Sequence, residues 1–432
     1  MLKRFIKRFL VGLLTSEAKL VLKKYKPKII AVTGSVGKTS TKDAIYHTLS
    51  HFLFVRKNEK SFNTEIGVPL TILGCPNAWR NPIRWFLNIV EGLLLLIFKR
   101  KYPKVLILEV GADRPGDIRQ IAEWLRPDTV VITRFAKVPV HVEFFASPEE
   151  VIEEKSQLVK NLKADGILVL NSDDDDVLSL KELSRAHVVT YGMHAGSDVW
   201  GSHYNVTEIP GGERPLGINF KINVGGSSLP LGVVGALGLH LLYPILAAIA
   251  VGISQKCNLV EIIESLADYT PPTGRMRILP GLKESVIIDD SYNSSPVALS
   301  EALDALKKTR VKGRKIAVIG DMMELGKYSV EEHKNAGRVA GSFVDLLITV
   351  GVRARLVAEG ALETGLEEKN ILQFEDARRA GKELEILLQK DDLILIKGSQ
   401  AARMERTVEE IMAEPARAGE LLVRQEEEWK RK

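Results

Sequence analysis

The stretch Ile29–Asp43, IIAVTGSVGKTSTKD, brings together residue types that hold a phosphate group. Gly34 and Gly37 let the backbone turn tightly enough for successive N–H groups to converge on one anion. The helix expected from Lys38 adds its positive end. Lys38 can reach terminal phosphates, and the Thr39 hydroxyl suits Mg2+. The expected nucleotide cradle is therefore Gly34, Ser35, Val36, Gly37, Lys38, Thr39 and Ser40. The longer, glycine-first form of such a loop requires glycine at position 32, where this chain has Val32. The competing reading is a plain glycine turn ahead of a helix, and the GKT triplet between an apolar strand and a helix weighs against it.

Glu109 ends an apolar run, so its carboxylate should emerge at the C-terminal edge of a sheet, where α/β proteins build their sites. A strand-end surface carboxylate is the alternative. The acidic run Asp173–Asp176 reads as a strand end and helix cap rather than a metal cluster. His141 and Lys155 carry no signal of their own: a lone histidine is often structural, and Lys155 reads as an ordinary solvated helix lysine. Cys75 and Cys257 have no paired spacing, which argues against a disulfide framework or zinc site and fits a reducing, cytoplasmic setting.

Alternating strands and helices must position these groups. Ile29–Thr33, Val105–Val110, Thr129–Thr133 and Gly166–Asn171 read as strands. Helices are expected from Lys38, over Asp117–Leu125 and over Pro148–Leu162. This order implies a mostly parallel sheet covered on both faces. Gly192 to Val234 suggests β-hairpins, and Leu239–Ser254 and Leu259–Tyr269 look helical. TPPTGR, Thr270–Arg275, is a natural linker because two prolines and a glycine break a helix. Strands follow at Val286–Asp289, Lys315–Ile319, Leu346–Val350 and Leu393–Ile396. The charged tail from Pro415 reads as a solvated helix.

The fold expected is α/β, with a central P-loop ATPase domain, a C-terminal Rossmann-like domain and a short N-terminal amphipathic helix. The boundaries are 1–28, 29–271 (with an apolar insertion at 79–104) and 272–432. A length of 432 residues suits two or three domains. With 45% hydrophobic and 27% charged residues the chain is globular. A net charge of +5 over this length is weak ground for nucleic acid, and no such partner is expected.

Two segments point toward a membrane surface. Leu2, Phe5, Ile6, Phe9, Leu10, Leu13 and Leu14 form one helical stripe, with Lys3, Arg4, Lys7 and Arg8 opposite. This is the pattern of a basic helix lying in an interface, or of a helix packed on the next domain. Trp85–Phe98 is flanked by Arg80 and Arg84 before it and Lys99, Arg100 and Lys101 after it. It is shorter than the roughly 20 apolar residues that span a bilayer. It is either a core helix or a second interfacial patch, so peripheral membrane association through 1–26 and 79–101 is one expectation.

A series of short motifs occurs in one order: TGSVGKTSTKD, SFNTEIGVPLTIL (Ser61–Leu73), LEVGADRPGDI (Leu108–Ile118), HVEFFASPEEVIEEKSQLV (His141–Val159), GRM (Gly274–Met276), DDSYNSSP (Asp289–Pro296), GDMMELG (Gly320–Gly326) and KGSQAARME (Lys397–Glu405). From about Ile29 to Glu405 this series resembles the Mur ligases of peptidoglycan synthesis, most closely their D-alanyl-D-alanine-adding branch. The resemblance implies an ATP-dependent amide ligase using ATP and Mg2+. A carboxylate of muramoyl-peptide type would take the γ-phosphate, and D-alanyl-D-alanine or another amine would displace it. It further implies that Thr39, Glu109, His141 and a carbamylated Lys155 hold metal. Lys38, Lys155, Arg275 and His141 would serve catalysis, and Arg275, Asp290 and Asn293 would contact nucleotide or substrate. Asn63, Thr64, Lys397 and Ser399 would face substrates, and Asp321 and Glu324 would sit at the same sheet edge.

The chain departs from the family pattern in four places. Only about 28 residues precede the phosphate loop, so the uridine-binding module is expected to be missing, as in the folylpolyglutamate synthetase branch. In GLHLLYPILAA (Gly238–Ala248), His240 is kept, but Leu241 and Pro244 stand where the family has adenine-side asparagines. Thr133–His141 is longer than the family form, with Arg134 for asparagine. The apolar insertion has no family counterpart. A folylpolyglutamate-like ligase, or a membrane-associated nucleotide-binding subunit that performs no ligation, are the alternative functions.

Overall fold

A computed structural model describes residues 2–59, 62–79, 81–209 and 214–430, without the side chains of 2–6, 8 and 430. The expectations resting on the side chains of Leu2, Lys3, Arg4, Phe5, Ile6 and Arg8, and on Arg80, lie outside the described residues.

The first sheet has nine strands: β1 Lys28–Thr33, β2 Val55–Lys57, β3 Val105–Glu109, β4 Thr129–Ile132, β5 Ile167–Asn171, β6 His187–Gly192, β7 Val199–Glu208, β8 Pro215–Val224 and β9 Ser227–Val234. Their spatial order is β2-β3-β1-β4-β5-β6-β7-β8-β9. The strands run parallel from β2 to β7, and β8 and β9 then turn back antiparallel. The expected hairpins are therefore an extension of the same sheet. The helices in this part are α1 Leu2–Tyr25, α2 Lys38–Ser50, α3 Gly67–Leu73, α4 Pro82–Ile97, α5 Asp117–Leu125, α6 Pro148–Lys160, α7 Asp175–Ser179, α8 Leu242–Ser254 and α9 Leu259–Leu266.

The second sheet has six strands: β10 Arg277–Pro280, β11 Val286–Asp290, β12 Lys315–Gly320, β13 Leu346–Val350, β14 Ile371–Phe374 and β15 Leu393–Lys397, in the order β10-β11-β15-β12-β13-β14. Only β10 is antiparallel. β11 is followed by α10, Pro296–Lys308. β3, β4, β11, β13 and β15 are buried along their whole length, as expected of parallel strands with both faces covered. The short strands β2, β10 and β14 escaped the sequence reading because three or four residues carry too little periodicity.

Helix starts follow local chemistry. Asn81, Ser147 and Ser295 cap α4, α6 and α10 with their side-chain oxygens, and proline takes the first helical position each time. The acidic run ends β5 and caps α7, since Asp174 accepts from the Val177 N–H at 3.0 Å.

Two expectations change. The tail is not a solvated helix: Leu421, Leu422 and Val423 are buried, and an apolar triplet of that kind draws the chain back onto the second sheet. It brings with it Arg424, also buried, which donates to Glu405 at 2.8 Å and to the Ser291 carbonyl at 3.2 Å. The described part of α1 packs rather than floats: Leu14, Ala18 and Val21 are buried in the core formed with α3 and α4. Among the described residues no helix is long and apolar enough to cross a membrane.

Candidate active site

β1 lies between β3 and β4, so the chain leaves it toward one side of the sheet and later returns to the other. Such a switch point opens a crevice at the C-terminal strand ends. The loop Gly34–Gly37 fills it. Gly34 has φ 148°, and a Cβ there would lie 2.0 Å from the Thr133 hydroxyl. No residue but glycine fits that approach. The loop is pinned by the Ser35 N–H donating to the Arg134 carbonyl at 2.7 Å and the Thr133 hydroxyl donating to the Val36 carbonyl at 2.6 Å. Gly37, in the left-handed region, precedes α2 without any side-chain cap. The first-turn N–H groups of α2 are thus left without a side-chain acceptor, which fits an anion there.

Thr39, the second residue of α2, donates its hydroxyl to Glu109 Oε2 at 3.0 Å. Asn63 donates to Glu109 Oε1 at 3.3 Å. The Lys42 ammonium lies 3.9 Å from Glu109 Oε2 and donates to the Asn58 carbonyl at 3.0 Å. Asn58 in turn bonds the Glu109 backbone through both ends of its amide. The Glu109 carboxylate is therefore held in one orientation from three sides, and with the Thr39 hydroxyl it offers the hard oxygen donors Mg2+ prefers. Asn58 and Lys42 were missed in the sequence, since their roles arise only when α2 and the post-β2 loop meet β3.

Lys38 donates to the Ser35 carbonyl at 3.3 Å. Burial pulls its ammonium below the usual lysine range, Glu109 opposes that, and the Arg275 charge adds to it. Lys155, on α6, is buried rather than solvated as its surroundings in sequence suggested. Burial, followed by repulsion from Lys38, lowers it to about 7. Its neighbour Glu154 accepts from the N–H groups of Gly116, Ile118 and Arg119 at 2.9, 2.7 and 2.9 Å. A carboxylate at the start of α5 locks the two helices together and turns Lys155 inward.

His141 sits at φ 70°, with Nδ1 2.6 Å from Glu324 Oε2 and Nε2 3.6 Å from Asp113 Oδ1. This contact joins a loop of the first sheet to the GDMMELG loop of the second. The imidazole holds the Glu324 carboxyl below its ordinary value. Asp321, in the same motif, does something else: it accepts from the Ala354 N–H at 2.7 Å. Asp113 carried no sequence signal.

Between the sheets these groups line a cleft of about 710 Å3. Of the expected residues it contains Ser35, Val36, Gly37, Lys38, Thr39, Asn63, Thr64, Glu109, His141, Arg275, Asn293 and Ser399, together with Glu324. Arg275 stacks over the Tyr292 ring at 4.2 Å, and its buried Nε has no hydrogen-bond partner among the described residues. Ser399 accepts from the Met323 N–H at 2.8 Å. Gly34 and Lys155 lie behind the lining, and Ser40 lines a smaller neighbouring cavity.

Lys397 and Asp290 are not in the lining. They face each other at 2.5 Å, both buried, and Lys397 also donates to the Asn293 carbonyl at 2.9 Å. Burial lowers the Lys397 ammonium and Asp290 offsets it. The pair supports the Asn293 turn from beneath.

The smaller cavity, beside the loop, is lined by Asn171, His240, Leu241, Tyr243 and Pro244 among others. Arg134 crosses it to form an ion pair with Glu301 of α10. A further cavity of about 240 Å3 shares Met323, Ala401 and Arg403 with the cleft and adds Arg353 and Arg406.

The family description "Mur ligase middle domain" matches residues 32–82 and 87–252, and "Mur ligase, glutamate ligase domain" matches 274–400. The UDP-N-acetylmuramoyl-tripeptide–D-alanyl-D-alanine ligase of Bacillus subtilis is 27% identical over 399 residues, 92% of this chain and 79% of that protein. Its namesake from Mycobacterium bovis is 28% identical over 406 residues, 89% of this chain and 73% of that one. Among solved structures, MurF ligase from Thermotoga maritima in complex with ADP aligns with a TM-score of 0.75 at 27% identity, covering 93% of this chain and 83% of that one.

Proposed function

The chain belongs to the Mur ligase family, and from that premise we propose that it is an ATP-dependent, ADP-forming amide ligase of peptidoglycan precursor synthesis. Its substrates would be a muramoyl-peptide carboxylate and an amine, D-alanyl-D-alanine. The observation that carries this reading is the single cleft in which Lys38, Thr39, Glu109 and His141 of the first sheet meet Arg275, Asn293 and Ser399 of the second.

The uncapped start of α2 and the loop amides receive the nucleotide phosphates, and Lys38 neutralises charge on the phosphoryl group as it moves. Thr39, Glu109, His141 and a carbamylated Lys155 would hold magnesium, which would supply polarisation of the phosphoryl oxygens. A lysine whose ammonium is destabilised by burial is neutral for more of the time, and carbamylation needs the neutral amine. Arg275 ends the TPPTGR linker, where it brings a positive charge to the phosphates as the two sheets approach. Asn293 and Ser399 present the second sheet's edge to the incoming amine. The base is read without side-chain amides at Leu241 and Pro244. The domains are proposed as 1–28, 29–271 and 272–432. The reading also places the enzyme in the cytoplasm, attached peripherally to the inner membrane face through 1–26 and 79–101.

The test is phosphate release from ATP with uridine-linked muramoyl peptides, lipid-linked equivalents or folates as acceptor, each with D-alanyl-D-alanine or a single amino acid. Release that requires both a muramoyl carboxylate and the dipeptide is the expected result. Turnover that ignores both substrates and is unchanged by Lys155→Ala rules the ligase out. Turnover with folates alone points to the folylpolyglutamate-like alternative.

A further inference from the structure

α4 breaks the usual rule for a surface helix. Ile83, Phe86, Leu87, Leu93 and Ile97 recur at spacings of three, four and six along it, and all are exposed, Ile83 and Ile97 at 70% and Phe86 at 64%. Phe98 continues the row past the helix end. Only Asn88, Gly92 and Leu95 are buried, on the opposite edge. A contiguous apolar stripe of this kind marks an interaction surface.

The helix is braced in place. Lys24 of α1 donates to the carbonyls of Leu95, Leu96 and Phe98 at 2.8, 2.9 and 2.9 Å, and the Tyr25 hydroxyl reaches those of Leu95 and Phe98 at 3.1 Å. The Leu95 and Leu96 carbonyls near the end of α4, and the Phe98 carbonyl just past it, are therefore satisfied without water. At position 92 the helices approach so closely that a Cβ would lie 2.3 Å from Glu17 Oε2.

Charge identifies what the stripe meets. Residues 2–25 and 79–104 contain thirteen basic and two acidic residues, a formal +11 against +5 for the whole chain, so the remainder is net acidic. Lys99, Arg100, Lys101 and Lys104 follow the stripe directly, and Lys101 lies over the exposed Phe54 ring at 5.2 Å. The acidic groups facing α4 do not cancel this: Glu91 is paired with Arg84 at 3.0 Å, and Glu17 is buried. An apolar helical face beside a basic cluster fits the headgroup layer of an anionic bilayer.

We infer that α4 is the element that enters the bilayer interface, stripe inward, with its basic end on anionic headgroups, while the described part of α1 is a brace. This rests on the peripheral attachment proposed above and assigns it to one helix. The stripe lies outside the cleft, so ligation by the soluble enzyme does not depend on it.

The experiment is flotation of the full chain with vesicles of phosphatidylcholine alone or with 30% phosphatidylglycerol, alongside Phe86→Glu/Ile97→Glu and Lys99→Gln/Arg100→Gln/Lys101→Gln. Circular dichroism and phosphate release check that each variant is folded. Wild type should float with the anionic vesicles only. The triple variant should partition roughly a hundredfold less, at about 1 kcal/mol per charge near the surface, and the double variant should remain soluble. A wild type that stays soluble with both vesicles overturns the attachment itself. A double variant that floats like wild type overturns the assignment to α4. A wild-type dimer that the double variant dissociates, without flotation, shows the stripe to be covered by a second copy and overturns the inference. None of these three results touches the ligase reading, which the acceptor assay decides.

Discussion

The cleft and the α1–α4 face depart from ordinary burial in opposite directions. The cleft and its supports bury charge: Glu109, Lys155, Lys397 and Asp290 are all nearly inaccessible. The α4 face exposes apolar surface, with Phe86, Ile83 and Ile97 turned outward. Each would be costly in an isolated protein, by desolvation in the first case and by hydration of apolar area in the second. What compensates them differs. The cleft is compensated mostly from within, through carboxylates, amides and helix ends placed around each charge. The α4 face has no internal compensation among the described residues.

That contrast can be broken most sharply at the pair beneath the Asn293 turn. Lys397→Ala leaves Asp290 buried without its counter-charge, and is expected to cost about 3–5 kcal/mol, read by denaturant unfolding. A loss under 1 kcal/mol would mean the second sheet tolerates buried charge without internal pairing. Lys38→Ala is expected to lower ligation about 100- to 1000-fold with the melting temperature little changed, because that charge is placed for a ligand rather than for the fold.

Glu17 sharpens the comparison, because it is a buried carboxylate on the apolar side of the molecule with no hydrogen-bond partner among the described residues. Burial raises it from the ordinary glutamate value of 4.5 to about 7. The folded state therefore binds the proton more tightly than the unfolded one. The stability this confers is complete below pH 4.5 and is lost as pH rises through 7. Glu17→Gln should raise the melting temperature by a few degrees at pH 8 and leave it nearly unchanged at pH 4.5, measured by thermal scans at both values. An equal gain at both would place the cost in packing against Gly92 instead. The smallest effect is expected on α4 itself: Phe86→Glu should alter soluble stability by no more than about 0.5 kcal/mol.

Much of the cleft was legible beforehand. The phosphate loop, the strand before it and Glu109 at the end of β3 are local patterns, and the family expected from the motif order is the family matched. Asp321 and Glu324 show where local pattern fails. Both are acidic residues of GDMMELG and read alike, yet Asp321 binds the Ala354 N–H within its own sheet while Glu324 crosses to His141. Nothing within seven residues distinguishes them, because the deciding contact comes from a loop some 180 positions away. Lys155 failed for a related reason. Its immediate neighbours are polar and acidic, and only the locking of Glu154 onto the start of α5 turns it inward. Lys397 erred in the opposite sense: its motif suggested a substrate contact, and the parallel pairing of β11 with β15 sets it against Asp290 instead.

The sequence by itself determined the alternation of strands and helices, the phosphate loop and the basic, apolar composition of 2–25 and 79–104. Hydrophobic period, glycine placement and charge act over a few residues, so they can be read without coordinates. Tertiary structure alone decided which charges are buried, which acidic residue of GDMMELG meets His141, and that α4 keeps its apolar stripe free. Those outcomes depend on how whole elements pack. α1 turns Leu14, Ala18 and Val21 into the core it forms with α3 and α4, and α4 buries Asn88, Gly92 and Leu95 there and is left with its stripe outward.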